Sequence, residues 1–219
     1  MCLAQKQLPI DDTTLTAQKI VNNAIKFHDP NSSWSSLHAN FHFQSCFKHN
    51  PFSPENLEVE INVPENKFKY SNIERDFAAV YRKDTCETIS SVGNCNNYSW
   101  TKNFYTYVWR LPMKLQDPGT AIDSVFSIEK LSNDNCYKIA VNYPNENFNF
   151  YFKCSNFELH AFSFLKNDSS GHGEFVEMKG TFSFKEIKSP QKRTWKDIHT
   201  RDTLGTNTVT NIETRPEFN

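Results

Sequence analysis

The stretch Tyr107-Val-Trp-Arg-Leu-Pro-Met-Lys-Leu-Gln-Asp-Pro-Gly-Thr120 decides how the rest of the chain is arranged. It crowds aromatic and aliphatic side chains, two prolines and a glycine into one short span, with short alternating segments on both sides. Neither Pro112 nor Pro118 fits the interior of a central strand, because proline donates nothing to the ladder. The stretch is therefore expected to be a pivot between two runs of antiparallel sheet. Asp117-Pro-Gly119 has the composition of a turn, with Gly119 able to take positive φ. Just upstream, the rings of Tyr98, Trp100, Phe104, Tyr105, Tyr107 and Trp109 fit a short helix or an aromatic loop.

Towards the N-terminus, Leu37 to Lys48 alternates. Leu37, Ala39, Phe41, Phe43, Ser45 and Phe47 share one face, and His38, Asn40, His42, Gln44 and Cys46 share the other. Leu57 to Val63 alternates as well, turns at Pro64-Glu-Asn66 and returns through Phe68 and Tyr70. Phe77 to Ile89 is expected as one further strand before a turn at Gly93-Asn94. Beyond the pivot the expected strands are Ser124–Leu131, Cys136–Tyr143, Phe148–Cys154, Phe157–Leu165, Gly173–Glu186, Pro190–Ile198 and Thr203–Ile212. Turns are expected at Asn133-Asp-Asn135, Asn145-Glu-Asn147, Asn167-Asp-Ser-Ser-Gly171 and Ser189-Pro190.

One segment has helical spacing instead. Ala17, Ile20, Val21, Ala24, Ile25 and His28 recur at three and four. Thr13, Thr14 or Thr16 is placed to cap it and Asp29-Pro30 to end it. About eleven strands at regular spacing with one amphipathic helix predict a mainly β fold. The economical form is a strongly curved antiparallel half-barrel, covered by the N-terminal helix and the aromatic segment; a closed barrel would also hide its edges. Residues 13–219 are expected to form that single half-barrel domain, after a flexible start over residues 1–12.

Composition removes several function classes. With 24 Lys+Arg against 25 Asp+Glu, the net charge of −1 lacks the basic excess of a general nucleic-acid binder. Six glycines leave no room for a glycine-rich phosphate loop. Hydrophobic residues are only 37%, so much of the burial must fall to the 19 Phe and the other rings. No apolar run approaches the roughly 18 residues of a membrane span. Met1-Cys-Leu-Ala-Gln5 has the form of the end of a secretory signal, with Ala4-Gln5 as a cleavage junction, or of an ordinary cytosolic start. Cys2 as a lipid-attachment cysteine is a third reading.

The remaining cysteines are Cys46, Cys86, Cys95, Cys136 and Cys154, without the CxxC spacing of a zinc site. Cys136 and Cys154 flank an expected hairpin about Asn145, falling opposite each other or one residue out of step. Cys86 and Cys95 flank Ser-Val-Gly-Asn. Two local disulfides, 86–95 and 136–154, would suit an oxidising compartment; free, partly buried thiols are the alternative.

Chemistry-bearing side chains are sparse. His38 and His42 share a strand face but lie about 13 Å apart along it, too far for one metal without a bend. With His49 they are read as a solvated face, and no metal or cofactor is expected. His160 and His172 lie near Glu158, Asp168 and Glu174, a pairing suited to acid–base work, but no nucleophile motif accompanies them. No catalytic residue is assigned and the chain is not read as an enzyme; a hydrolase using His160 or His172 is the competing reading. Lys192, Arg193, Trp195 and Lys196 gather on one hairpin, as a membrane or partner surface or as a solvated face. Trp109, Leu111, Met113 and Leu115 either line the mouth of a lumen, together with Ile25, Phe41 and Phe43, or are plain core.

Three of these segments carry a family resemblance. Tyr107 to Gly119, the C-terminal Lys188-Ser-Pro-Gln-Lys-Arg-Thr-Trp195 with Leu204-Gly-Thr206, and the helix Ala17 to His28 resemble motifs of a family of secreted or lipid-anchored Bacteroidetes proteins. The likeness spans residues 16 to 212. That family is similar in strand pattern to the LolA/LppX type of periplasmic lipoprotein and lipid carriers. The resemblance implies a half-barrel with helices closing its concave face, a periplasmic, outer-membrane-associated or secreted location, and a signal remnant in Met1–Gln5. It implies no catalysis.

The sequence is accordingly expected to encode a binding protein that holds a lipid, a lipoprotein acyl chain or another apolar ligand in a half-barrel cavity. It would act as a monomer, with a membrane surface as a further partner. The competing expectation is a non-catalytic structural or interaction protein of the envelope with a filled core.

Overall fold

The structure, a computed structural model, describes residues 15–72, 74–82, 85–88, 99–144, 146–166 and 171–214. Met1–Gln5 with Cys2, the capping candidates Thr13 and Thr14, the Gly93-Asn94 turn, Cys95 and Asn167–Ser170 lie outside these residues.

The apolar stripe forms helix α1 (Ala17–His28), which buries Ala17, Ile20, Val21, Ala24, Ile25 and His28. Thr16 caps it, its hydroxyl oxygen accepting the Lys19 N–H at 3.2 Å and satisfying one of the otherwise orphaned first-turn donors. Asp29 ends it. Its own N–H donates to the Ile25 carbonyl at 2.7 Å, while its carboxylate accepts the N–H groups of Ser33 and Trp34 at 2.8 and 3.0 Å. That pair of bonds opens a 3₁₀ turn, Ser33–Ser36, and buries the Trp34 ring.

The strands before the pivot are β1 (His38–Phe47), β2 (Glu55–Asn62), β3 (Lys67–Asn72), β4 (Phe77–Arg82) and β5 (Thr85–Thr88). After it come β6 (Ala121–Leu131), β7 (Asp134–Asn142), β8 (Glu146–Lys153), β9 (Leu159–Lys166), β10 (Gly173–Phe184), β11 (Ile187–Asp197) and β12 (Thr203–Thr214). All belong to one antiparallel sheet in the order β5-β4-β3-β2-β1-β12-β11-β10-β9-β8-β7-β6. Chain neighbours pair within β1–β5 and within β6–β12, and β1 closes on β12 from Ala39 opposite Thr214 to Phe47 opposite Gly205. The two edges are therefore β5 and β6, and the pivot is the segment that runs between them. It holds helix α2 (Ser99–Val108) and a 3₁₀ turn, Met113–Gln116. The aromatic segment is thus a helix and not a loop, and Gly119 has the expected positive φ of 87°.

The sheet is bent and not closed. Phe41 on β1 and Phe184 on β10 are three strand positions apart, which is about 14 Å in a flat sheet. Their ring centroids are 5.6 Å apart. The alternation of β1 follows the sequence pattern: Ala39, Phe41, Phe43 and Ser45 are buried, with His38, Asn40 and His42 less so. The bend therefore faces its apolar rows inward, where α1 lies against β6, β11 and the Met113–Gln116 turn.

Two expectations fail on turn chemistry. The stretch Phe77–Ile89 is not one strand: Arg82 pairs with Thr85 and Ala79 with Thr88, which raises the strand number to twelve. The two intervening residues, Lys83 and Asp84, carry no glycine or asparagine to announce a hairpin. Nor does Ser189-Pro190 turn the chain. Pro190 sits within β11 opposite Thr181, and the reversal falls at Lys185-Glu186, with φ of 42° and 64°. A two-residue hairpin needs positive φ at both central positions to match strand twist, and here two ordinary residues supply it. The proline is tolerated beside a ladder irregularity at Gly180, where φ is 67°.

Candidate functional site

Among the described residues, the concave face carries the large buried cluster that the helices cover. Trp109 lies at its centre. Its ring centroid is 4.2 Å from that of Phe43, which stacks in turn on Phe41 at 6.0 Å. Tyr105, one helical turn before Trp109, meets Phe43 at 5.6 Å and Tyr70 at 5.9 Å. Phe104 lies 5.1 Å from Trp195 on the β11 side. Helix α2 and the pivot thus act as an apolar plug, with rings from both halves of the sheet closing on it. The Tyr105 hydroxyl is held well above the usual phenol range by burial, and burial does the same to Tyr107.

All seven residues expected to line a ligand cavity come together here. Ile25, Phe41, Phe43, Trp109, Leu111, Met113 and Leu115 belong to one buried cluster, and none is more than 7% exposed. Two depressions among the described residues are lined by other side chains, polar and apolar together. One, of about 470 Å³, is bordered by Pro30, Asn31, Ser183, Glu186 and Lys188. The other, of about 180 Å³, lies between β2, β3 and α2, with Lys67, Lys102, Arg110 and Lys114 on its rim.

The expected basic surface does not exist as a unit, because strand alternation divides it. Lys192 is exposed and Lys196 pairs with Glu177 at 2.8 Å. Arg193 and Trp195 point the other way and are 0% and 2% exposed. Trp195 donates from Nε1 to Oδ1 of Asn207 on β12 at 2.7 Å, and Asn207 donates from Nδ2 to the Ser45 hydroxyl on β1 at 3.1 Å. This relay ties three adjacent strands beneath the plug. The Arg193 guanidinium carbon lies 3.3 Å from the centre of the Trp109 ring. Its one hydrogen bond among the described residues runs from an Nη to the Pro190 carbonyl at 3.1 Å, leaving Nε and the other Nη without an acceptor.

Two histidines of the outer face meet carboxylates. His38 faces Glu60 at 3.0 Å, and His42 lies between Glu58 at 3.5 Å and Glu213 at 3.4 Å. No group of three metal-ligating side chains forms among the described residues. His160 is 3.9 Å from Asp134, and burial is the main cause of its lowered pKa.

The 136–154 disulfide is not formed; both residues are thiols. Cys136 pairs with Lys153, one residue short of Cys154. Cys136 joins a small outer cluster with Tyr151, Ala161 and Phe175, whereas Cys154 packs on the main core. A one-residue offset sends side chains to opposite faces. Burial pushes the Cys136 thiol up to about 11. Cys86 is disulfide-bonded, and Cys95, its expected partner, lies outside the described residues.

No protein-family model matches the chain, and no curated protein matches it. Solved structures do. One is a LolA superfamily protein from Nitrosomonas europaea, with a TM-score of 0.57 at 10% identity over 93% of this chain and 95% of that one. The fold is LolA-like. An outer membrane lipoprotein-sorting protein domain from Vibrio parahaemolyticus matches the same shares of each chain with a TM-score of 0.53 at 9% identity. At such identities the likeness is one of architecture: an open LolA-like sheet with helices on its concave side. No helix among the described residues is long and apolar enough to cross a membrane.

Proposed function

We propose that this protein is a non-catalytic carrier of the cell envelope, periplasmic or surface-associated, that takes an acyl chain or similar apolar ligand into the concave face of its sheet. The supporting observation is the plug. Residues 99–116 pair with no strand, yet fill the hollow with Tyr105, Trp109, Leu111, Met113 and Leu115. Such a segment can leave as a unit without breaking any ladder hydrogen bond, and an alkyl chain replaces its contacts at about 0.8 kcal/mol per buried CH₂. The LolA-like architecture and the resemblance to Bacteroidetes envelope proteins support the same reading, with the chain acting as a monomer. The packed rings favour a second reading, an interaction protein of the envelope whose core is permanently filled.

Native mass spectrometry of the protein extracted from its own envelope separates the two. Co-purifying lipid is expected under the carrier reading. Uniformly lipid-free protein that also fails to take up a hexadecyl chain in vitro would leave the filled-core reading.

A further inference from the structure

The arrangement around Arg193 is a costly one for an interior. Its guanidinium is fully buried and pairs with no carboxylate among the described residues. A guanidinium does not shed its proton inside proteins, so the charge stays. Burying an unpaired ion is costly even after relaxation. Stacking on Trp109 and one hydrogen bond to a carbonyl offset that cost only in part. Adjacent to it, Trp109 Nε1 is likewise buried without an acceptor. Where plug and sheet meet, three donors therefore lack acceptors: Nε and one Nη of Arg193 on the sheet, and the indole N–H of Trp109 on the plug.

We infer that Arg193 receives the oxyanion head of an amphiphile, a carboxylate or phosphate monoester, whose alkyl chain takes the place of the plug. The edge of the guanidinium that carries Nε and Nη is the one that binds two oxygens side by side, and this is the edge left without acceptors. The group that covers it is Trp109, which belongs to the plug and not to the sheet. Displacing the plug thus uncovers the cation and the apolar wall together. The inference rests on the carrier reading and narrows it from any apolar ligand to an anionic one.

The test is binding of hexadecanoate, hexadecyl phosphate, hexadecanol and inorganic phosphate to the full chain by calorimetry. The two anionic amphiphiles are expected to bind about tenfold or more tighter than the alcohol, as suits a charge-assisted two-point contact. Inorganic phosphate is expected not to bind in the same concentration range. Arg193→Met, similar in length and apolar, should bind all three chains alike at the wild-type affinity for the alcohol. Arg193→Lys keeps the charge without the fork; its preference should fall at least about threefold, and it decides the matter if the methionine variant does not fold. Equal binding of the three chains by the wild type, or a preference unchanged in these variants, overturns the role of Arg193 and leaves the carrier reading intact. Inorganic phosphate binding as tightly as hexadecyl phosphate overturns the amphiphile. Failure of every alkyl ligand to bind overturns both.

Discussion

The backbone N–H of Leu159, at the start of β9, donates to Nε2 of His28 on α1 at 2.9 Å. A ring nitrogen that accepts carries no hydrogen, so Nδ1 carries it and donates to the Lys188 carbonyl on β11 at 2.6 Å. Both nitrogens of a neutral imidazole are satisfied, and the helix is fastened to two strands at one residue. Protonation would set N–H against N–H in a site that is 2% exposed. Burial, opposed by the bond to Lys188, lowers the pKa of His28 from 6.5 to about 4.

Folding stability should therefore carry a His28 contribution that is complete above pH 6.5 and declines as pH falls towards 4, because the unfolded chain takes up the proton first. The full loss is about 3 kcal/mol. Urea midpoints across that window, compared between wild type and His28→Gln, isolate the contribution. Parallel curves for the two proteins would show that His28 is not held neutral.

Trp109→Ala should destabilise the fold by about 3–5 kcal/mol, since a large buried ring is removed and Arg193 loses its stacking partner. Denaturant unfolding measures it. A loss under about 1 kcal/mol would mean that the plug is loosely seated.

Gly205→Ala should cost about 1–3 kcal/mol by overpacking. A Cβ there would lie 2.3 Å from Cδ1 of Phe47 and 2.7 Å from the Cys46 carbonyl oxygen. The ring can move; the backbone oxygen, fixed in the β1–β12 pairing, cannot. Phe47→Leu added to Gly205→Ala should recover only part of the loss in thermal midpoint.

Iodoacetamide should label Cys46, which is exposed, well before Cys136, which is buried with its thiol pushed up to about 11. Thiolate is the reacting form, so both burial and pKa slow the second site. Peptide mapping before and after unfolding distinguishes them. Equal rates on the native protein would contradict the packing of the outer cluster.

The fold was legible in this sequence wherever side-chain period was the signal. The stripe of α1 and the alternation of β1 are readable because 3.6 and 2.0 are hard to confuse over ten residues. The turn at Lys185-Glu186 was not, because it lacks the glycine or asparagine that usually marks positive φ. The seven residues expected around a ligand were legible as a cluster, since burial follows from hydrophobicity. How closely their rings pack, with Phe43 4.2 Å from Trp109, was not, since packing density has no sequence signature. Arg193 is legible only by strand parity and not by charge: it shares a face with Trp195, and a tryptophan on a core strand points inward. Asn207 and Ser45 were missed because a relay across three strands needs the strand order, which only coordinates supply.

The seam between β1 and β12 is the one junction that joins distant parts of the chain. Everything else in the wall is built from neighbours, two meanders that can each zip locally and fast. On the ribosome β12 emerges after every other described strand. Until then β1 presents a bare edge carrying Phe41 and Phe43, a template on which another nascent copy could pair. The longer β12 is delayed, the longer that edge stays open to a wrong partner.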